Sequence, residues 1–176
     1  MGLRACFYYS RFTIYYLLLM SGKLEVSFNS PQCGWMSIGF SDGRSEFFTT
    51  TAHAPHRLAL THLLQILTSL LDPDSAEHEY VLKWNRDPEE FDLRFLRSEG
   101  GSMLFEVYQY PTDERELAER DLVFTHFGTV SDVVNAFADT FDQLYQDRET
   151  DEFEFNWRQP FPIKEFRQFK EVIERG

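Results

Sequence analysis

The stretch from Glu79 to Tyr110 constrains the fold of this chain most, because it predicts three consecutive antiparallel strands. Its middle part alternates Phe91, Leu93 and Phe95 with charged residues, and apolar residues at every second position are typical of a strand with one buried face. The flanking strands repeat the alternation, with apolar positions at Tyr80, Leu82 and Trp84 and at Met103, Phe105 and Val107. The chain is therefore predicted to form around a three-stranded meander with one apolar and one polar face.

The loop between the second and third strands decides which side chains share a face. A two-residue turn at Gly100 and Gly101 would place Phe95 opposite Glu106, which sets an apolar side chain against a charge. A three-residue loop, residues 99–101, avoids this mismatch and leaves a glycine for the left-handed position that such loops need. We therefore predict the three-residue loop. It pairs Phe95 with Phe105, Leu93 with Val107 and Arg94 with Glu106.

The rest of the chain predicts further strands and three amphipathic helices. Alternating apolar residues predict strands at 24–28, 35–40, 45–50, 122–124 and 153–157. The pair Asp42-Gly43 favours a two-residue hairpin turn, which would place Ile38 opposite Phe47. Helices are predicted from Pro55 to the stop at Asp72-Pro73-Asp74, from Asp132 to Tyr145 with Thr129 or Ser131 as its cap, and from Ile163 to Glu174.

These elements predict an α+β fold in the order βββα-βββ(β)α-(β)α. We expect a single antiparallel or mixed sheet of about six to seven strands, with two or three helices covering one face. Residues 21–176 are predicted to form a single α+β domain, because a chain of 176 residues has room for one well-packed core.

Residues 1–20 form an atypical N-terminal extension. Arg4 and Arg11 are its only charged side chains, and the run from Phe12 to Met20 is almost wholly apolar. The run is too short to span a bilayer, since a transmembrane helix needs about 20 apolar residues. Three interpretations stay open: a loose tail or over-extended start with translation beginning at Met20, an extra strand, or a signal peptide that lacks a clean cleavage site.

Charge and cysteine content narrow the class of partner and the compartment. The chain carries a formal net charge of -12, so it lacks the basic surface that nucleic acids and anionic membranes attract. We expect neither of those partners and predict a basic protein partner instead. Cys6 and Cys33 are too few for a disulfide framework. This favours a reduced, cytoplasmic protein.

The residue types that carry catalysis are not arranged for it in the sequence. His53, His56 and His62 cluster near the first predicted helix, but their spacing does not place two imidazoles on one helical face. Cys33 has no base nearby in sequence, and neither a phosphate-binding glycine loop nor a nucleophile elbow occurs. We predict no catalytic residue, no metal ligand and no cofactor. A metal-dependent enzyme or small-ligand site at the His53 and His56 loop remains the alternative.

Two groups of residues are candidate protein-binding sites. The polar face of the meander is predicted to be open and to carry Arg94, Glu106, Tyr108 and Tyr110, a mixture of charge and aromatic surface that suits an interface. Trp157 and Arg158 precede a proline-rich connector. They are either an interface anchor or part of a rigid elbow that buries Trp157 and Phe161.

The functional prediction is a non-enzymatic protein-binding or regulatory domain. An immunity-type protein that neutralises a basic toxin is its concrete form, because electrostatic complementarity would speed association with such a target. An accessory domain that acts as a homo-oligomer is a further alternative.

Overall fold

The computed structural model describes residues 22–98 and 100–175, which form an α+β fold with two antiparallel sheets and four helices. The first sheet has the order β1-β2-β3 and the second the order β4-β5-β6-β7. The elements are β1 (Glu25–Phe28), β2 (Trp35–Ser41), β3 (Glu46–Ala52), α1 (Ala59–Leu70), β4 (Glu79–Asn85), β5 (Glu90–Arg97), β6 (Ser102–Tyr110), β7 (Asp121–Thr129), α2 (Val130–Asp147), α3 (Phe153–Trp157) and α4 (Ile163–Arg175). The predicted extension at residues 1–20 lies outside the described residues.

The prediction of a single sheet is wrong, because the strands divide between two sheets. β3 and β4 are consecutive strands, yet they belong to different sheets, with α1 between them in the chain. Each sheet turns its apolar face toward a shared core instead of joining the other edge to edge. Side-chain alternation predicts which face of a strand is buried, but it does not say which strand edges pair.

The predicted register of the meander is confirmed. Phe95 lies opposite Phe105, and both side chains are fully buried. Gly100 and Gly101 have φ angles of 86° and 78°, a left-handed conformation that glycine adopts without a steric penalty. The remaining predicted pairs, Leu93 with Val107 and Arg94 with Glu106, are also present.

The β2–β3 turn is longer than predicted. Ser41 pairs with Glu46, so the loop spans the four residues 42–45, and Ile38 lies opposite Thr49 instead of Phe47. The Asp42 carboxylate accepts hydrogen bonds from the backbone N–H groups of Arg44 and Ser45, both at 3.0 Å, and these bonds close the wider turn. The register shift is two residues, and because side chains alternate with period two, the apolar face keeps its phase.

Two further boundaries differ from the prediction, and one of the two predicted caps is confirmed. The first helix begins at Ala59 instead of Pro55, because residues 55–58 close into tight turns: Arg57 N–H donates to Pro55 and Ala59 N–H to His56. The predicted strand at 122–124 extends over the whole of β7. Thr129 caps α2 as predicted, since its Oγ1 accepts a hydrogen bond of 3.0 Å from Asp132 N–H.

The predicted strand at 153–157 is a short helix, α3. Phe153 and Trp157, four residues apart, are both buried, whereas Phe155 between them is exposed. Alternating aromatics suggested a period of two, but burial at positions i and i+4 is the pattern of a helical turn.

Helix α2 links the two sheets through aromatic packing. The ring of Phe137 lies 5.6 to 6.2 Å, between centroids, from Phe28 and Phe40 of the first sheet and from Phe95 and Phe105 of the second. One buried side chain therefore contacts both halves of the core. In the described part of the chain, no helix has the length and apolar character to cross a membrane.

Candidate functional site

The polar face of the second sheet carries the predicted binding residues Arg94, Glu106, Tyr108 and Tyr110. Arg94 Nη1 lies 2.5 Å from the Glu106 carboxylate, and its Nε lies 2.7 Å from that of Glu79. Burial alone would lower the pKa of Arg94, but these two partners raise that pKa above its ordinary value. Arg94 is thus committed to carboxylates within its own sheet.

This face is not open as predicted, because the connection between β6 and β7 folds over it. Arg120 places its guanidinium 4.3 Å from the centre of the Tyr108 ring, and Arg115 lies 4.4 Å from the centre of the Tyr110 ring. Tyr110 and Glu106 are buried as a result. The connection packs on the face through cation–π contacts between its two arginines and the two tyrosines of β6. Side-chain alternation along a strand does not predict such contacts.

Arg115 is the centre of a buried ionic cluster. It donates to Glu90 at 2.5 Å and also to Asp92, and both of these acidic residues are buried. The Tyr110 hydroxyl donates to Asp92 at 2.9 Å, and His56 Nε2 lies 3.3 Å from Glu90. Burial raises the pKa of Glu90, but Arg115 and His56 outweigh burial and hold this pKa below its usual value. Both carboxylates of the cluster are paired with side chains of the same chain, which suits a structural role.

A cavity of about 440 Å³ opens beside the ionic cluster, with Lys83, Asp87 and Asp113 in its wall. The wall also includes His56, one of the two histidines of the alternative site. The other histidine, His53, packs edge-on against Trp157, with 6.3 Å between ring centroids. The two imidazoles therefore lie in separate environments.

The structure does not assemble a metal or nucleophile site from the candidates in this region. Across residues 22–98 and 100–175, no three His, Cys, Asp or Glu side chains are grouped so that they could hold a metal ion. His53 Nδ1 lies 3.4 Å from the Gly34 carbonyl. Cys33 is exposed and has a left-handed backbone, with φ of 52°.

A second buried pair connects the two sheets. Nδ1 of His126 in β7 lies 3.5 Å from Oδ2 of Asp42 in the β2–β3 turn, and both side chains are buried. Burial lowers the pKa of His126, whereas burial raises that of Asp42 but is outweighed by the N–H groups of Ser45 and Arg44. The pair lies where the β2–β3 turn meets β7, and the 3.5 Å separation does not meet hydrogen-bond geometry.

Trp157 and Arg158 have different environments although they are neighbours. Trp157 is only 2% exposed, as the elbow interpretation predicts, and Phe161 is also buried. Arg158 is exposed and has φ of 60°. The indole therefore belongs to the core, and Arg158 is the member of the pair that a partner could reach.

Sequence reasoning missed the most exposed large aromatic residue of the described chain. Phe155 is 79% exposed on α3, and the acidic residues just before it in the chain are exposed as well. The surface formed by Glu149, Glu152, Glu154 and Phe155 is called the acidic corner below. The spacing of Phe153 and Trp157 was the signal that could have revealed it, since a buried i, i+4 pair turns the residue between them outward.

The segment that carries the acidic corner is hydrogen-bonded to the rest of the chain. The Gly34 N–H donates to the Asn156 carbonyl at 2.6 Å, and the Asn156 side chain donates to the Asp151 carbonyl at 2.9 Å. Ser30 also donates to the Asp151 carboxylate. The bonds from Gly34 and Ser30 attach α3 and the residues before it to the connection between β1 and β2.

A groove of about 1060 Å³ runs between α1 and β4 and is called the edge groove. Leu58 at the start of α1 and Val81 in β4 are 56% and 45% exposed. Exposed apolar side chains next to the outermost strand of a sheet are candidates for a protein interface.

Comparisons with protein-family models, with curated proteins and with solved structures find no match for this chain. The functional argument therefore depends on the geometry of the acidic corner and the edge groove.

Proposed function

We propose that this chain is a non-enzymatic protein-binding domain that binds a basic protein partner through the acidic corner. The observation that carries the proposal is the exposure of Phe155. This side chain is 79% exposed on the short helix α3, next to the carboxylates of the acidic corner. A large aromatic side chain is a frequent interface anchor. The surrounding negative charge would steer a basic partner toward it and select against acidic proteins.

The concrete form of this proposal is an immunity-type protein that neutralises a basic toxin, which implies a bacterial source. The net charge of -12 supports long-range attraction to such a target. We propose the cytoplasm as the compartment, because the exposed thiol of Cys33 is free and an exposed free thiol suits a reducing environment.

The test is affinity capture from native lysate at low and high salt, with wild-type protein and the Phe155→Ala variant as baits. We expect the wild type to retain a basic protein that salt releases. Removal of an interface anchor costs about 2 kcal/mol or more, so the affinity of Phe155→Ala for that protein should fall roughly 30-fold.

Leu117→Ala is the matched control for this test. Leu117 is also a highly exposed apolar residue, at 70%, and it also has acidic neighbours, but it lies outside the acidic corner. Capture should survive this substitution. Equal capture by wild type and Phe155→Ala, or capture that does not respond to salt, would contradict the proposal.

A further inference from the structure

The outer edge of β4 has unused hydrogen-bonding groups. β4 is the outermost strand of its sheet. The bonds from Arg97 N–H to His78 O and from Arg86 N–H to Glu89 O, both 2.7 Å, show that even-numbered residues of β4 direct their backbone toward β5. In an antiparallel pair this direction alternates along the strand. The N–H and C=O groups of Glu79, Val81 and Lys83 therefore point away from β5, into the edge groove.

Those outward groups have no partner within the described chain. No hydrogen bond from another described element reaches the backbone of these three residues. β4 also contains neither a proline nor a register shift in its pairing with β5. These are two of the devices that usually prevent an edge strand from pairing with another chain. The edge is therefore competent to accept a further strand.

The side chains of these three residues form a self-complementary pattern. Glu79 and Lys83 carry opposite charges and lie two residues on either side of Val81. Consider a second copy of the strand, related to the first by a two-fold axis beside Val81. Glu79 of one copy then lies opposite Lys83 of the other, and the two Val81 residues lie opposite each other. Opposite charges in facing positions stabilise an antiparallel pair, whereas like charges destabilise it.

We propose that the edge groove binds β4 of a second copy of this chain, which forms a two-fold dimer with one continuous eight-stranded sheet. Glu79 then faces Lys83 of the partner subunit, Val81 faces Val81 of the partner subunit, and Lys83 faces Glu79 of the partner subunit. Each facing pair exchanges two backbone hydrogen bonds, so the three pairs would form about six bonds. Such a contact is isologous, and it closes after two copies.

The charged side chains of the edge groove are complementary to those of a second β4 strand. Glu79 is oriented by the 2.7 Å bond from Arg94, so its carboxylate is fixed on the outer face. Lys83 is exposed and has no ion-pair partner among the described residues. The partner's Glu79 supplies that missing anion. Leu58 lines the same groove as Val81, so a strand bound in the groove would also cover apolar surface. This interface does not include the acidic corner.

Charge-reversal substitutions at Glu79 and Lys83 test the dimer directly. The mass of the full chain should be that of a dimer in multi-angle light scattering and sedimentation at high concentration, with dissociation on dilution. Lys83→Glu alone and Glu79→Lys alone each place like charges in both outer pairs. Each should raise the dimer dissociation constant about tenfold or more. An equal mixture of the two variants restores both opposite-charge pairs and should form a heterodimer of wild-type affinity.

Three further variants make the test specific. Lys164→Glu and Glu174→Lys change the charge by the same amounts at exposed positions of α4 and should leave the dimer intact. Val81→Glu is a second way to break the contact: it sets two carboxylates face to face on the axis, while Arg94 opposite it in β5 accommodates the charge within each subunit. Far-UV circular dichroism verifies that each variant is folded.

Amide exchange gives an independent readout. The Val81 N–H should exchange slowly in the wild-type dimer and quickly in the monomeric variants, whereas the Leu82 N–H, which faces β5, should be protected in both. A wild-type chain that is monomeric at every concentration, a dimer that Lys83→Glu and Val81→Glu leave intact, or variants that do not associate on mixing would each overturn the proposal.

Discussion

At the scale of single residues, Arg115 determines whether the polar face of the second sheet can stay folded. It lies in a loop, yet it forms ion pairs with two carboxylates, Glu90 and Asp92, that the sheet buries. A buried carboxylate without a partner is costly, because the protein interior solvates charge poorly. The stability of three strands thus depends on one side chain outside them.

Arg115→Ala should lower the free energy of unfolding by about 2 to 4 kcal/mol at neutral pH, because it leaves two buried carboxylates without their cation. Urea denaturation measures this loss. Arg120→Ala is the control, since Arg120 is exposed in the same connection and only contacts a tyrosine ring. Its removal should cost about 1 kcal/mol or less. Equal losses for the two variants would show that Arg115 does not have this role.

The effect of Arg115→Ala also depends on pH. In the wild type the pKa of Glu90 is lowered by folding, so its contribution is present above the unfolded-state pKa and disappears as pH falls through the folded-state pKa. Without Arg115, burial favours the protonated acid instead. The difference between wild type and variant should therefore be largest at neutral pH and shrink in acid, which urea denaturation over a pH series will show.

At the scale of elements, β1 is attached to α2 by one buried hydrogen bond. The Phe28 N–H, on the open side of β1, donates to Thr140 Oγ1 at 2.7 Å. Edge strands normally leave such N–H groups to solvent, but here a helix covers the edge and supplies the acceptor. A short strand of four residues is thereby fixed against the core.

Thr140→Val should lower the free energy of unfolding by about 1 to 3 kcal/mol although it preserves side-chain shape, because the Phe28 N–H stays buried without an acceptor. Thr140→Ser is the matched control: it keeps the hydroxyl and loses one methyl, which costs about 1 kcal/mol. Amide exchange separates the two cases. The Phe28 N–H should exchange faster in the valine variant only, and unchanged exchange in both would mean that the bond is unimportant.

At the scale of the whole molecule, two sheets share one aromatic core. Phe137 of α2 contacts phenylalanines from both sheets, and the His126–Asp42 pair connects the sheets at a second point. Elements that share buried contacts unfold together, since the loss of one exposes the apolar surface of the other. If residues 21–176 form a single domain, as predicted, the two sheets should therefore unfold in one cooperative transition.

Phe137→Ala should lower the free energy of unfolding by about 3 to 5 kcal/mol and shift the whole transition. Far-UV circular dichroism and tryptophan fluorescence should show coincident urea transitions in both wild type and variant, since Trp84 and Trp157 are buried in different parts of the core. Phe155→Ala, the same substitution at an exposed site, should change stability by no more than about 0.5 kcal/mol. Two separate transitions would mean two independently folding units.

The local features of this protein could be predicted from the amino-acid sequence. The register of the β5–β6 hairpin followed from the loop length and from side-chain alternation, because both depend on residues close together in the chain. The same is true of the apolar faces of α1, α2 and α4 and of the cap at Thr129. They depend on residues three or four positions apart along one helix. The apolar residues that face the core could also be predicted, because they recur at the regular spacing of a strand or a helix.

Three features could not be predicted in this way: the division into two sheets, the cover that Arg115 and Arg120 form over the polar face, and the outward position of Phe155. Each depends on contacts between segments far apart in sequence. Alternation specifies which face of a strand is apolar but not which edge pairs, and charge along the chain does not reveal which carboxylate an arginine will reach. These choices are made by the packing of the complete core, where burial and pairing must be satisfied together.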